Sequence, residues 1–234
     1  DQFVADVKGG QGGELKSTGR TPPKFFAAHS STALVVNHFA RFKDQLSDLS
    51  LAKKSGFDFL GFEQKRPIVE PNGTPNLDLI AEGKAVVAVE SKFTEIIRDE
   101  KQVGFADSYN VIKEWADPVL VKLYEGINQN RLSFNVFYAA QLVKHCLGLQ
   151  RQYSNRNVTL LYLFWEPENW QDFEKCKIHR QEVQRFAKEI KGACIKFVWM
   201  TYPDLWKEWE QPEMPVWLRR HVKALKARYC FSIC

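Results

Sequence analysis

The stretch Asn76 to Lys92, NLDLIAEGKAVVAVESK, constrains the fold more than any other part of the chain. Asn76 to Ala81 and Ala85 to Lys92 are two apolar runs on either side of Gly83, the pattern of a β-hairpin. The second run is greasy until it closes on Glu90, Ser91 and Lys92. Side chains alternate along a strand, so Val86, Ala88, Glu90 and Lys92 share one face. A carboxylate and an ammonium are rarely placed beside a core without partners, which marks both for paired, functional use.

Hairpin geometry decides whether Asp78 joins them. A three-residue turn, either Ala81–Gly83 or Glu82–Lys84, gives opposed residues whose numbers sum to an even total. Asp78 then lies on the face of Glu90 and Lys92, whereas a two-residue turn would send it to the other side. Gly83 as the third loop residue, in the left-handed region, suits the three-residue option. Register does not fix the distance from Asp78 to Glu90, and a bulge or strong twist is expected to close it. Two carboxylates and one ammonium at a sheet edge suit phosphodiester hydrolysis. Hard oxygen ligands select Mg²⁺ or Mn²⁺, which polarises a phosphate and lowers the pKa of bound water. An adjacent lysine orients that water or steadies the growing charge.

The rest of the chain supplies a frame. Ser30 or Ser31 is placed to cap a helix carrying Val35, Phe39, Phe42 and Leu46. Phe57 to Glu63 reads as a strand, Ala106 to Glu125 and Phe134 to Gln150 as helices, and Val158 to Trp165 as a strand covered on both faces. Trp170 to Lys191 reads as a helix with Val183, Phe186 and Ile190 inward, and Ile195 to Met200 as another short buried strand. The order is helix, three strands, helices, strand, helix, strand: an α/β chain with a mixed sheet flanked by helices. Residues 1–23, with Gly9 to Gly13 and Pro22-Pro23, read as a flexible lead-in. Residues 24–234 read as a single domain, ending in a basic amphipathic helix over Trp217 to Tyr229.

Pro75 to Asp78 followed by Glu90-Ser91-Lys92 resembles the PD-(D/E)XK nuclease superfamily, which includes many restriction enzymes and DNA repair nucleases. The aspartate here follows the proline by three positions rather than directly. The resemblance implies a restriction endonuclease-like αβββαβ core over roughly residues 30 to 200. It implies that Asp78 and Glu90 hold the metal with help from the Ser91 carbonyl, and that Lys92 is the catalytic lysine. Glu63 is a candidate third metal carboxylate or a plain strand-end charge. The resemblance also implies a glutamine facing the site, for which Gln141 is the candidate, against the reading of a solvated helix face. Lys144, one turn on, is a weaker candidate for phosphate contact. The His29-Ser30-Ser31 segment and Leu163 to Pro167 are similar to uncharacterised bacterial restriction-endonuclease-like proteins.

Bulk properties narrow the remainder. A net charge of +5 and a pI near 8.9 are compatible with a DNA partner without establishing one. Arg219, Arg220, Lys223, Lys226 and Arg228 surround the apolar stripe Leu218, Val222, Leu225 and Tyr229, so that helix either rests on a DNA backbone or presents a solvated face. The five cysteines have no zinc spacing and the five histidines no metal-ligand spacing, so reduced thiols and a cytoplasmic location are expected. No apolar run approaches membrane-spanning length. Trp199 is expected in the core, with Tyr202, Trp206 and Trp209 packing at the domain edge. The function expected is a metal-dependent endonuclease or exonuclease acting on DNA. The alternative is a non-cleaving DNA- or protein-binding module on the same scaffold.

Overall fold

The computed structural model describes residues 23–68, 76–98 and 104–234, with residues 15 and 17. Most of the expected lead-in, and Pro75, lie outside the described residues. One mixed five-stranded sheet, in the order β1-β2-β3-β4-β5, organises the rest. Its strands are β1 (Phe57–Lys65), β2 (Asn76–Gly83), β3 (Val86–Lys92), β4 (Val158–Phe164) and β5 (Lys196–Thr201). The first three run antiparallel, and β3, β4 and β5 are parallel.

Helices cover both faces, as the continuous burial of β3 and β4 requires. They are α1 (Ser31–Phe39), α2 (Pro118–Asn128), α3 (Ala139–Gln152), α4 (Glu174–Glu189), α5 (Tyr202–Trp209) and α6 (Val216–Tyr229). Ile80, Val86, Ala88, Leu160 and Phe164 pack with α2, α3 and α4. Leu79, Ala81, Val87, Val89, Leu161 and Leu163 pack with α1, α5 and α6. Among the described residues no helix is long and apolar enough to cross a membrane.

The hairpin turns through Gly83-Lys84-Ala85, because Glu82 pairs with Val86. The loop has three residues, and the parity that aligns Asp78 with Glu90 is the expected one. Two details differ. The loop sits one residue later than the Glu82–Lys84 option, and Gly83 opens it without a left-handed φ. Its need for glycine is a close approach: a Cβ there would stand 2.3 Å from the Gly56 carbonyl oxygen.

Several elements begin or break differently from expectation. The Ala106 to Glu125 helix is a 3₁₀ turn (Asp107–Glu114) and then α2, divided where Asp117 caps the new helix and Pro118 takes its first position. Helix α3 starts at Ala139, five residues later than expected, so Val136 is not part of its stripe. Helix α1 gives way to a 3₁₀ turn (Ala40–Lys43) and does not reach Leu46. The aromatic cluster is reversed. Tyr202, Trp206 and Trp209 are fully buried, whereas Trp199 is half-buried on the edge strand β5. The missed element is α5, signalled by a capping box between Thr201 and Asp204.

His38 sits at the centre of the cluster. Its Nδ1 lies 2.7 Å from the Leu34 carbonyl, and Trp206 Nε1 donates to its Nε2 at 2.9 Å. That pattern assigns the neutral tautomer with the proton on Nδ1. Burial lowers its pKa to about 3, and burial likewise lowers His179 to about 3. Each group takes up a proton in the unfolded chain near pH 6.5 but not in the folded one. Their contribution is therefore complete above pH 6.5 and lost progressively as pH falls toward 3. Urea unfolding should show about 2 kcal/mol lost per histidine between pH 7 and pH 5. Equal stability at the two pH values would disprove the neutral assignment.

Candidate active site

The site forms where β2 and β3 separate. Backbone pairing between them runs back toward the turn from Leu79–Val89, and beyond it the strands diverge. Divergence frees the Ser91 N–H, which donates to Asp78 Oδ2 at 2.6 Å. The Ser91 hydroxyl turns to the other face and meets the Tyr202 hydroxyl at 2.8 Å. Asp78 is thus fixed beside the strand that carries Glu90 and Lys92.

Glu90 and Lys92 lie on the face covered by α3, and both are buried. Lys92 Nζ donates to Glu90 Oε1 at 2.7 Å and to Gln141 Oε1 at 3.1 Å. The same ammonium stands 4.9 Å from the centroid of the Tyr138 ring. Glu90 Oε2 lies 2.8 Å from His145 Nε2. Gln141 and His145 are one helical turn apart on α3, so one helix face engages both charges.

Glu63, on β1, belongs to the same neighbourhood. The pairs flanking it, Phe62–Leu79 and Gln64–Leu77, place it across from Asp78. Its φ of 50° is a conformation that a non-glycine residue in a strand seldom adopts. Its Oε1 accepts from the Thr32 hydroxyl at 3.2 Å, and its Oε2 from Asn76 Nδ2 at 3.5 Å.

The electrostatics follow from this crowding. Burial, then the carboxylates of Glu90 and Glu63, push the pKa of Asp78 well above the usual range. Burial alone would raise Glu90 as well, but the Lys92 ammonium and then His145 outweigh it and bring it down to about 2. Burial works to lower Lys92, yet Glu90, then Glu95 and Asp78, hold it above the ordinary lysine value. The cluster therefore holds a lysine kept charged, a carboxylate kept charged and a second carboxylate destabilised by like charge.

A family model described as restriction endonuclease associating with ARP matches residues 9–230. The chain belongs to this REase-ARP family. No curated protein and no solved structure gives a significant match. The family supports a nuclease-like function for the chain.

The structure of this REase-ARP chain brings Asp78, Glu90, Lys92, Gln141 and the Ser91 backbone together, with Glu63 alongside. Gln141 is half-buried and accepts from Lys92 Nζ. Lys144, by contrast, points to the Gly104 carbonyl at 2.7 Å and lies over the rings of Phe105 and Tyr109. Sequence reasoning missed His145 and Tyr138. The signal for His145 was available, since it lies four residues after Gln141 on a helix already assigned, but it emerges only once Glu90 is known to face that helix. Among the described residues no group of three or more His, Cys, Asp or Glu side chains is arranged to hold a metal.

Proposed function

We propose that the protein is a Mg²⁺- or Mn²⁺-dependent nuclease of the PD-(D/E)XK type that hydrolyses phosphodiester bonds of DNA, restriction-like or repair-like. The observation that carries this reading is the meeting of Asp78, Glu90 and Lys92 where two paired strands diverge. The donor set suits a hard cation. Mg²⁺ is commonly bound through one or two carboxylates, with waters and substrate phosphate completing its shell, so a third acidic side chain is not required. Asp78 is raised by burial and then by the Glu90 and Glu63 carboxylates, and a divalent ion held here would relieve the repulsion. Asp78, Glu90 and the Ser91 carbonyl would hold it, with Glu63 as the candidate third carboxylate. When bound, the ion would supply Lewis-acid polarisation of the phosphate and a more acidic water.

The chain's own residues do the rest. Lys92, held charged by Glu90 and aimed by Gln141, steadies negative charge at the attacked phosphate and orients the attacking water. The Ser91 N–H keeps Asp78 at the mouth of the site. His145 and Lys92 fix the Glu90 carboxylate from two sides. The core order α1, β1 to β3, α3, β4 supports the restriction endonuclease-like arrangement.

Incubation with plasmid, linear and single-stranded DNA in Mg²⁺, Mn²⁺ or EDTA tests the reading. Metal-dependent products are expected. Their absence on every substrate would favour the non-cleaving DNA- or protein-binding module. A second expectation concerns stability. Millimolar Mn²⁺ should raise the melting temperature of the wild type through mass action and leave Asp78→Asn unshifted. An equal shift in both proteins would place the metal elsewhere.

A further inference from the structure

Beside the carboxylates lies a cavity of about 460 Å³ that the proposed chemistry does not use, bounded by Lys24, His29, Thr32, Glu95 and Arg98. Two of its walls reach the site. Thr32 donates its hydroxyl to Glu63, and Glu95 lies close enough to Lys92 to raise its pKa. The single acidic group in the lining, Glu95, already accepts the Phe93 N–H at 2.6 Å. Lys24 and Arg98 leave the lining with more cationic groups than acidic ones. Phe26, between the lining residues Lys24 and Ala27, is 70% exposed, the highest exposure among the large apolar side chains described. Phe25 meets it edge-on with centroids 5.6 Å apart, which supports the ring without covering it.

A cationic hollow accepts a phosphate, and an exposed aromatic ring beside it stacks on a base. We propose that the cavity takes a backbone phosphate of the DNA strand next to the one being cut, with Phe26 stacked on a neighbouring base. This rests on the nuclease reading for its choice of DNA. The feature of the ligand that the site recognises is a phosphate one short step from an unpaired or splayed base, so single-stranded or frayed DNA should bind better here than a fully stacked duplex.

The test is fluorescence anisotropy of the full chain with labelled single-stranded and duplex DNA, in EDTA, across a salt series. Phe26→Ala should weaken single-strand binding at least about fivefold, with a smaller effect on duplex. Lys24→Ala combined with Arg98→Ala should reduce the salt slope by about one, the signature of a lost phosphate contact. Lys188→Ala, which removes an exposed charge on α4, controls for net charge and should change neither. All four positions are exposed, and matching melting temperatures confirm intact folds. Wild-type affinity and slope in the cavity variants, losses equal to those of the control, or no DNA binding by the wild type would each overturn the proposal. Binding in EDTA is read independently of cleavage. A wild type that binds through these residues yet never cuts overturns the nuclease reading alone, and one that cuts while the variants bind normally overturns this inference alone.

Discussion

Lys92→Ala should cleave DNA at least about a hundredfold more slowly than wild type while binding it nearly as well, the scale of removing one positioned electrostatic or acid-base group. The expectation follows from placement. Lys92 Nζ contacts Glu90 and Gln141 inside the site, and on the proposed mechanism its charge acts at the reacting phosphate and not on the backbone of a docked duplex. The substitution also strands Glu90, which would keep only His145 beside a buried carboxylate. Breaking a buried pair typically costs about 3–5 kcal/mol, so rates must be compared well below the variant's melting point. Gln141→Ala separates the two effects. It leaves the Glu90–Lys92 pair intact and removes only the group that aims the ammonium, so a smaller loss of rate with little loss of stability is expected. Normal cleavage by Lys92→Ala would show the motif to be accidental.

The contrast with α6 sharpens this prediction. Arg219, Arg220, Lys223 and Arg228 are exposed, while Lys226 is half-buried and pairs with Glu210. If that helix touches phosphates, Arg219→Ala or Lys223→Ala should weaken binding and flatten its salt dependence, with cleavage at saturating DNA little changed.

Much of the site was legible because it depends on parity. Strand alternation and an odd loop length suffice to put Asp78, Glu90 and Lys92 on one face, whichever of three loop positions the turn adopts. Gln141 was legible only through resemblance, since nothing in its own sequence neighbourhood tells a site-facing glutamine from a solvated one. Long-range choices were not legible. The clustering of Tyr202, Trp206 and Trp209 around His38 depends on α5 and α1 meeting on the same sheet face, which no local pattern encodes. Trp199 was misplaced for a related reason. A short apolar strand reads as central, yet β5 is the last strand of the sheet and has a neighbour on one side only. The late start of α3 is a third case, and its cause lies more than forty residues downstream.

That cause is Glu182. Its buried carboxylate, carried by α4, accepts three successive backbone N–H groups: Asn135 at 2.7 Å, and Val136 and Phe137 at 2.9 Å each. These donors belong to the segment that apolar spacing alone assigns to α3, and the carboxylate holds them in a non-helical path. The segment leads directly into Tyr138 and Gln141, which meet Lys92 together with Glu90 of its own strand. Phe137 follows it into the core, edge-on to Tyr162 with centroids 5.2 Å apart. Glu182→Ala would leave three N–H groups in a largely dry pocket. Each unsatisfied buried donor costs about 1–3 kcal/mol, and partial hydration of the new space recovers some of that, so a loss of about 3 kcal/mol or more is expected. For a chain of this size the melting temperature should fall by about 10 °C. Glu182→Gln should lie between the two, since its amide carbonyl still accepts while its NH₂ faces donors. The consequence for function separates this anchor from an ordinary structural contact. Below the melting point, the Ala variant should cleave more slowly, with DNA affinity held, because Gln141 no longer arrives at a fixed distance from Lys92. Melting within about 1 °C of wild type, or a slower rate accompanied by an equal loss of affinity, would show that α3 is positioned by its packing alone.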